Sequence, residues 1–155
     1  MTRKMIMELM HRLKWELPVN WHWFCNHAEL FKKVDKKTSK ELSEKHNCKI
    51  KECYYNAFMS DIGRKYRYFE GYVQGPTLIA HSWLVDSKGN VIDPTLIIDV
   101  PAGKDGEEIK NRCGDYYIGI EIPRDWLSKT VEKSARVDST LVEYYNYKKE
   151  KSDLK

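Results

Sequence analysis

Three residue types that can cooperate in nucleophilic catalysis follow one another along the chain, namely Cys53, His81 and Asp93. A thiol attacks as its thiolate, which requires a base such as an imidazole beside it. A carboxylate next to the imidazole holds its tautomer and stabilises its protonated form. The three residues therefore occur in the order of a nucleophile, its base and the residue that orients the base.

Cys53 begins a segment with helical periodicity, in which Ala57, Phe58 and Ile62 share one face and Gly63 ends the pattern. The first turn of a helix has unpaired amides and the positive end of the helix dipole, and both stabilise a thiolate. The same amides can bind an oxyanion that forms next to the thiol.

The residues around Asp93 predict a β-hairpin. The three residues 87–89 separate two apolar runs and end in Gly89, which is typical of a three-residue hairpin loop with a left-handed glycine. This loop pairs Asp86 with Asn90 and so places Asp93 opposite Trp83. A slip of one residue would move Asp93 to the other face of the sheet.

The same register predicts that His81 and Asp93 can meet. His81 lies two residues from Trp83, on the same face and diagonal to Asp93. Diagonal neighbours are roughly 7–8 Å apart between backbones, a gap that imidazole and carboxylate side chains can close.

Apolar periodicity along the rest of the chain predicts one α+β domain over residues 1–155, with helices first and an antiparallel sheet after them. Helices are expected at 2–14, from about His27 into the forties, around Cys53 and after Pro123. Residues 15–25 are expected to form an aromatic connection. Strands are expected at 66–73, 79–85, 91–98 and 116–122, with a loop at 99–112 and a charged tail from about 148.

Composition favours a globular protein, with 41% hydrophobic and 12% aromatic residues and a net charge of +4. Basic and acidic residues are mixed almost throughout, so the net charge gives little support for a nucleic-acid partner, which is not expected. The N-terminal apolar run is interrupted by charges and predicts neither a secretory signal nor a membrane span. We therefore expect a cytoplasmic protein with reduced cysteines and no membrane partner. No cofactor is expected, because chemistry by a thiol, an imidazole and a carboxylate needs none.

The run Cys53-Tyr54-Tyr55-Asn56-Ala57, the strand 69–73, the pair His81-x-Trp83 and the run Asp93-Pro94-Thr95 together resemble the transglutaminase-like core of the papain-like cysteine hydrolase superfamily. The resemblance covers about residues 50–100. It implies a Cys-bearing helix packed on an antiparallel sheet, with Cys53 as nucleophile, His81 as base and Asp93 as orienting residue. Glu52 and Tyr54 depart from the Trp or Gly that often flanks the cysteine in this family.

Four further residues are candidates for substrate or oxyanion binding. Asn47 and Asn56, with the backbone amide of Cys53, are candidate oxyanion donors. Trp83 is a candidate wall that excludes water. Glu70 has two interpretations. It positions a loop or binds a substrate amine, or it is a core carboxylate with satisfied hydrogen bonds.

The remaining cysteines also allow a zinc-binding interpretation, which we do not favour. Cys25 and His27, and likewise His46 and Cys48, have a single residue between them, whereas zinc ligands are usually separated by two to four. Packing explains these residues, and Cys113 is incidental. No metal is expected.

These observations predict a cysteine hydrolase or acyltransferase that attacks an amide, ester or thioester carbonyl, with a protein or peptide as substrate. Two alternatives stay open at this point. One is a catalytically inactive interaction module with the same fold. The other is a nucleic-acid-binding domain that uses the tyrosines at 144, 145 and 147 with neighbouring lysines. The sequence leaves the oligomeric state open.

Overall fold

The computed structural model describes residues 2–102, 107–109 and 112–153. Its helices are α1 (Arg3–Arg12), α2 (Trp21–His27), α3 (Lys36–Lys45), α4 (Cys53–Ser60), α5 (Arg124–Ser134) and α6 (Leu141–Asp153). Its strands are β1 (Glu29–Phe31), β2 (Arg67–Gln74), β3 (Leu78–Val85), β4 (Val91–Ile92), β5 (Val100–Ala102), β6 (Glu107–Ile109) and β7 (Tyr116–Glu121). The predicted α+β class is confirmed.

Within the described residues, five strands form one curled antiparallel sheet in the order β1-β7-β2-β3-β4. The long pair β2–β3 is the centre, and its register sets Gly71 opposite His81 and Phe69 opposite Trp83. Side chains alternate between the two faces of a strand. Residues opposite one another therefore share a face, and His81, Trp83 and Phe69 lie on the same one.

Each face of the sheet carries an apolar cluster. One cluster joins strand residues such as Tyr68, Leu84 and Ile118 to Ile6 of α1 and Phe24 of α2. The other joins Phe69, Val73, Trp83, Val85 and Tyr117 with residues of the neighbouring loops. Burial of both faces explains why the strands lack a simple apolar–polar alternation.

The predicted hairpin is confirmed in its register. Val85 pairs with Val91, and the backbone N–H of Asp86 donates to the carbonyl of Asn90. Gly89 has φ +81°, the left-handed conformation that the three-residue loop requires.

The prediction of a helix from His27 into the forties was wrong in its first part. Glu29–Phe31 is the strand β1, which pairs with β7, and α3 begins only after Asp35. The Asp35 side chain caps α3 by accepting the N–H of Thr38 at 3.0 Å. The apolar positions 30 and 31 fit a helix stripe as well as a strand, and pairing with β7 decided between them.

Three other boundaries also differ from the sequence expectation. The connection at 15–25 contains the start of α2, whose cap is Asn20. The strand expected at 91–98 ends at Ile92, because the Asp93 side chain accepts backbone N–H groups and turns the chain. The loop expected at 99–112 contains the pair β5–β6, and its residues 103–106 and 110–111 lie outside the described part.

The C-terminal region forms two helices where the sequence predicted one. α5 ends at Ala135, which has the left-handed conformation common at helix C-termini. α6 then continues through the charged residues after Tyr147 as far as Asp153.

Candidate active site

Cys53 is the first residue of α4, and its side chain is half-buried. Glu52 at the N-cap makes no side-chain cap hydrogen bond, and amides of a first helical turn have no partner within the helix. Along β3, the described pairing with β4 is at Leu84 and Val85, so β4 does not cover the part of β3 that carries His81. α4 packs against β3, and the Cys53 side chain interacts with the His81 imidazole.

His81 and Asp93 form a direct buried contact. His81 Nε2 lies 2.9 Å from Asp93 Oδ2, and their side chains are 3% and 0% exposed. An ionised carboxylate can only accept, so Nε2 carries the proton of this hydrogen bond. Nδ1 is then the ring nitrogen left to exchange a proton with the thiol.

Three further groups donate hydrogen bonds to the Asp93 carboxylate. Tyr117 Oη donates to the same Oδ2 at 2.8 Å. The backbone N–H groups of Thr95 and Leu96 donate to Oδ1 at 3.1 and 3.0 Å. With His81, these donors occupy both oxygens and keep the carboxylate in one orientation.

The backbone of Asp93 is also tied to α3. Ser39 Oγ accepts the N–H of Asp93 at 2.9 Å and donates to the carbonyl of Asp35 at 2.6 Å. Ser39 is fully buried, so its hydroxyl links the turn at Asp93 to the first turn of α3.

The electrostatics of the pair favour an imidazolium beside a carboxylate. Burial disfavours the charged form of His81, but the Asp93 carboxylate, helped by Cys53, outweighs burial and raises the pKa of His81 to about 9. Burial alone would raise the pKa of Asp93. The positive charge and hydrogen bond of His81, with the donors of Leu96 and Tyr117, instead hold that pKa below its usual value. The raised pKa of His81 favours the protonated imidazole at neutral pH, the form that stabilises an adjacent thiolate.

Trp83 lies beneath the histidine and does not form an exposed wall. Its ring is fully buried and stacks 6.4 Å from that of His81, with Phe69 and Tyr117 on its other sides. Gly119 makes room for it, because a Cβ there would come within 2.7 Å of the Trp83 ring. The tryptophan thus limits the movement of the imidazole by packing.

Asn56 holds two parts of the site together. Its Nδ2 donates to the Lys49 carbonyl at 2.7 Å and to Thr95 Oγ1 at 2.9 Å. Both amide protons are therefore engaged, and Asn56 is not free to bind an oxyanion. It connects α4 to the turn after Asp93, which makes it a positioning residue.

The two other sequence candidates lie in different surroundings. Asn47 is exposed, with φ 51°, in the turn after α3. Glu70 is buried and accepts hydrogen bonds from Tyr68, Ser139 and Thr140, so it is a satisfied core carboxylate that holds the start of α6. Burial raises the pKa of Glu70 against the lowering effect of these donors.

Sequence reasoning did not find Tyr117 or Ser39. Tyr117 lies on β7, which β2 and β3 separate from β4 in the sheet order, and it still contacts Asp93 after β4. Ser39 lies on α3, 54 residues before Asp93. Neither pairing leaves a local sequence signal, because both depend on which elements become neighbours.

Two cavities lie close to the triad. A polar cavity of about 590 Å³ is lined by Asn47 and by Glu52 and Tyr54, the two neighbours of Cys53 in the chain. Its walls include His46, Lys49, Lys51, Glu52, Tyr54 and Asp138. An apolar cavity of about 620 Å³ lies further along β3 from His81.

The four cysteines are free. Burial is the main cause that raises the pKa of Cys25 to about 11, that of Cys113 to about 12 and that of Cys48 above its usual value. In the described part of the chain, no three His, Cys, Asp or Glu side chains come together in a way that would hold a metal ion.

Searches with this chain against protein-family models, curated proteins and solved structures found no match. No helix among residues 2–102 and 112–153 is both long enough and apolar enough to cross a membrane.

Proposed function

We propose that this protein is a cysteine-dependent hydrolase or acyltransferase with a papain-like, transglutaminase-type core. The observation that carries the proposal is the 2.9 Å contact between His81 Nε2 and fully buried Asp93, with the Cys53 side chain beside the same imidazole at the start of a helix. An ordinary core histidine does not need a carboxylate that three further hydrogen-bond donors hold in one orientation.

The first half of the reaction forms an acyl-enzyme. The Cys53 thiolate attacks the carbonyl carbon of an amide, ester or thioester, and the backbone amides at the start of α4 stabilise the oxyanion. The bond from carbon to the leaving atom then breaks, and His81 gives its proton to that atom. Asp93 keeps the imidazole oriented throughout.

The second half releases the acyl group. His81 takes a proton from water or from an acceptor amine, whose oxygen or nitrogen attacks the thioester carbon. The carbon–sulfur bond breaks and the thiolate returns. A protein or peptide is the substrate class that we propose, and no step requires a cofactor.

The reactivity of Cys53 tests the proposal directly. We would measure the iodoacetamide alkylation rate of each cysteine between pH 5 and 9 by peptide mass spectrometry, in the wild type, His81→Ala and Asp93→Asn. The matched controls are His27→Ala and Asp99→Asn, which change exposed residues of the same types. Urea unfolding would establish that every variant is folded.

We expect Cys53 of the wild type to react at least about tenfold faster than Cys25, Cys48 and Cys113 at pH 6, because only Cys53 has an imidazolium partner. This advantage should be lost in His81→Ala and reduced in Asp93→Asn, and kept in both controls. If Cys53 of the folded wild type reacts no faster than the other three, the enzyme proposal is wrong and an interaction module is the better interpretation.

A further inference from the structure

The apolar cavity lies next to His81 on the same face of the sheet. Ile79 of β3 and its partner Val73 of β2 line it, and Ile79 is two residues from His81. Residues two apart on a strand share a face and are separated by about 7 Å. The walls include Val73, Pro76, Ile79, Leu96, Arg112 and Cys113.

Two residues in the wall of this cavity also interact with Asp93. Leu96 in its wall donates its backbone N–H to Asp93 Oδ1 at 3.0 Å. After burial, the Asp93 charge is the next cause that raises the pKa of Cys113. Residues of the cavity wall are therefore direct neighbours of Asp93, the partner of His81.

The polar cavity shares no lining residue with the apolar one. In the proposed reaction, His81 must deliver its proton to the leaving atom, so the leaving group has to lie against the imidazole. The apolar cavity is next to that position, and its volume of about 620 Å³ is within the usual range of ligand sites.

We propose that the apolar cavity binds the leaving group of the reaction, so that the preferred substrates are amides whose leaving amine carries an apolar substituent. In a peptide this substituent is the side chain of the residue immediately after the cleaved bond. The proton balance is unchanged: Sγ bonds to the carbonyl carbon, the carbon–nitrogen bond breaks, and the leaving nitrogen takes the proton of His81. The specificity rests on the proposed function, whereas the cavity can be tested without catalysis.

Cleavage preference is the first readout. A mixture of peptides of varied sequence would be incubated with the wild type, Ile79→Glu and Ile62→Glu, and the cleaved bonds identified by mass spectrometry. Ile79 is 41% exposed, so a glutamate is tolerated there and places a charge at the cavity wall. Ile62 is 64% exposed in the turn after α4 and serves as the matched control.

We expect the wild type and Ile62→Glu to favour bonds followed by Leu, Ile, Val, Met or Phe by about tenfold or more. Ile79→Glu should lose this preference and still cleave other bonds. Cleavage without an apolar preference, or a preference that survives in Ile79→Glu, overturns the proposal.

Occupation of the cavity is the second readout, and it uses Cys53→Ala, which cannot turn over. Phenylalanine amide, a model leaving amine, should slow iodoacetamide alkylation of Cys113 at pH 9 by at least about threefold, and leave Cys25 unchanged as an internal control. Ile79→Glu in the same background should abolish this protection. If phenylalanine amide does not protect Cys113, the cavity proposal is wrong. If it protects Cys113 while the wild type cleaves no peptide, peptide hydrolysis is wrong and the cavity assignment stands.

Discussion

Tyr117 Oη donates a hydrogen bond of 2.8 Å to Asp93 Oδ2, the same oxygen that lies 2.9 Å from His81 Nε2. The tyrosine lies on β7 and the aspartate in the turn after β4, and these two strands are not neighbours in the sheet. The oxygen that orients the base is thus itself held by a third strand. Burial and the nearby Asp93 charge keep the pKa of Tyr117 above its usual value, so the phenol remains a donor.

Tyr117→Phe should destabilise the protein by about 1–3 kcal/mol at pH 7, because a buried carboxylate loses one donor and the Gly114 N–H loses its acceptor. Tyr117 is one of the groups that lower the pKa of Asp93, so the substitution raises that pKa. The stability difference should therefore be largest above pH 4 and shrink as the pH falls further. Urea unfolding followed by tryptophan fluorescence measures it, with Tyr147→Phe on α6 as the control.

Asn56→Ala should lower both stability and the reactivity of Cys53. It removes the hydrogen bond between α4 and Thr95 and leaves the buried Thr95 hydroxyl and the Lys49 carbonyl without this partner. We expect a loss of about 1–3 kcal/mol in urea unfolding and slower alkylation of Cys53 at pH 6. Asn146→Ala, at an exposed position of α6, should change neither quantity. An unchanged Cys53 rate in folded Asn56→Ala would show that this hydrogen bond does not position the thiol.

Gly89→Ala should destabilise the hairpin by about 1–2 kcal/mol, because alanine is strained at φ +81°. A Cβ at Gly89 would meet no atom within 4 Å, so the cost is one of backbone conformation alone. Gly63→Ala is the matched control, since it also has open space but no positive φ, and it should be neutral or slightly stabilising. Thermal unfolding of both variants provides the comparison. If the two substitutions lower the unfolding temperature equally, the left-handed backbone at Gly89 is not what determines the register of the hairpin.

The His81–Asp93 pair predicts a pH dependence of stability. The folded pKa of His81 is raised to about 9, so its contribution is fully present below the unfolded value of about 6.5 and is lost as the pH rises through 9. The folded pKa of Asp93 is lowered, so its contribution is present above the unfolded value of about 3.9 and is lost as the pH falls through the folded one. The pair therefore stabilises the folded protein most between about pH 4 and 6.5.

Asp93→Asn is the variant that tests this pH dependence. Without the carboxylate, burial dominates and the decline between pH 6.5 and 9 should disappear or reverse sign. Urea unfolding at half-unit pH steps compares the two proteins. A decline of equal size in wild type and Asp93→Asn would contradict the assignment to this pair.

Local sequence features were enough to predict the relation between His81 and Asp93. Gly89 determines the hairpin loop, the loop determines the register, and the period of two determines which face Asp93 occupies. Cys53 at the start of a helix follows from the same kind of local periodicity. These features involve residues close together in the chain, where the backbone leaves few arrangements.

Only the tertiary structure decided the parts of the site that come from distant segments. The apolar residues 30 and 31 became a strand because β7 was available to pair with them. Tyr117 and Ser39 reach Asp93 because their elements pack beside its turn, and the apolar cavity forms where β2, β3 and the segment around Cys113 meet. The amino-acid sequence by itself determined the order and local geometry of Cys53, His81 and Asp93. Their hydrogen-bond partners and the cavity beside them depend on long-range packing, which no short segment encodes.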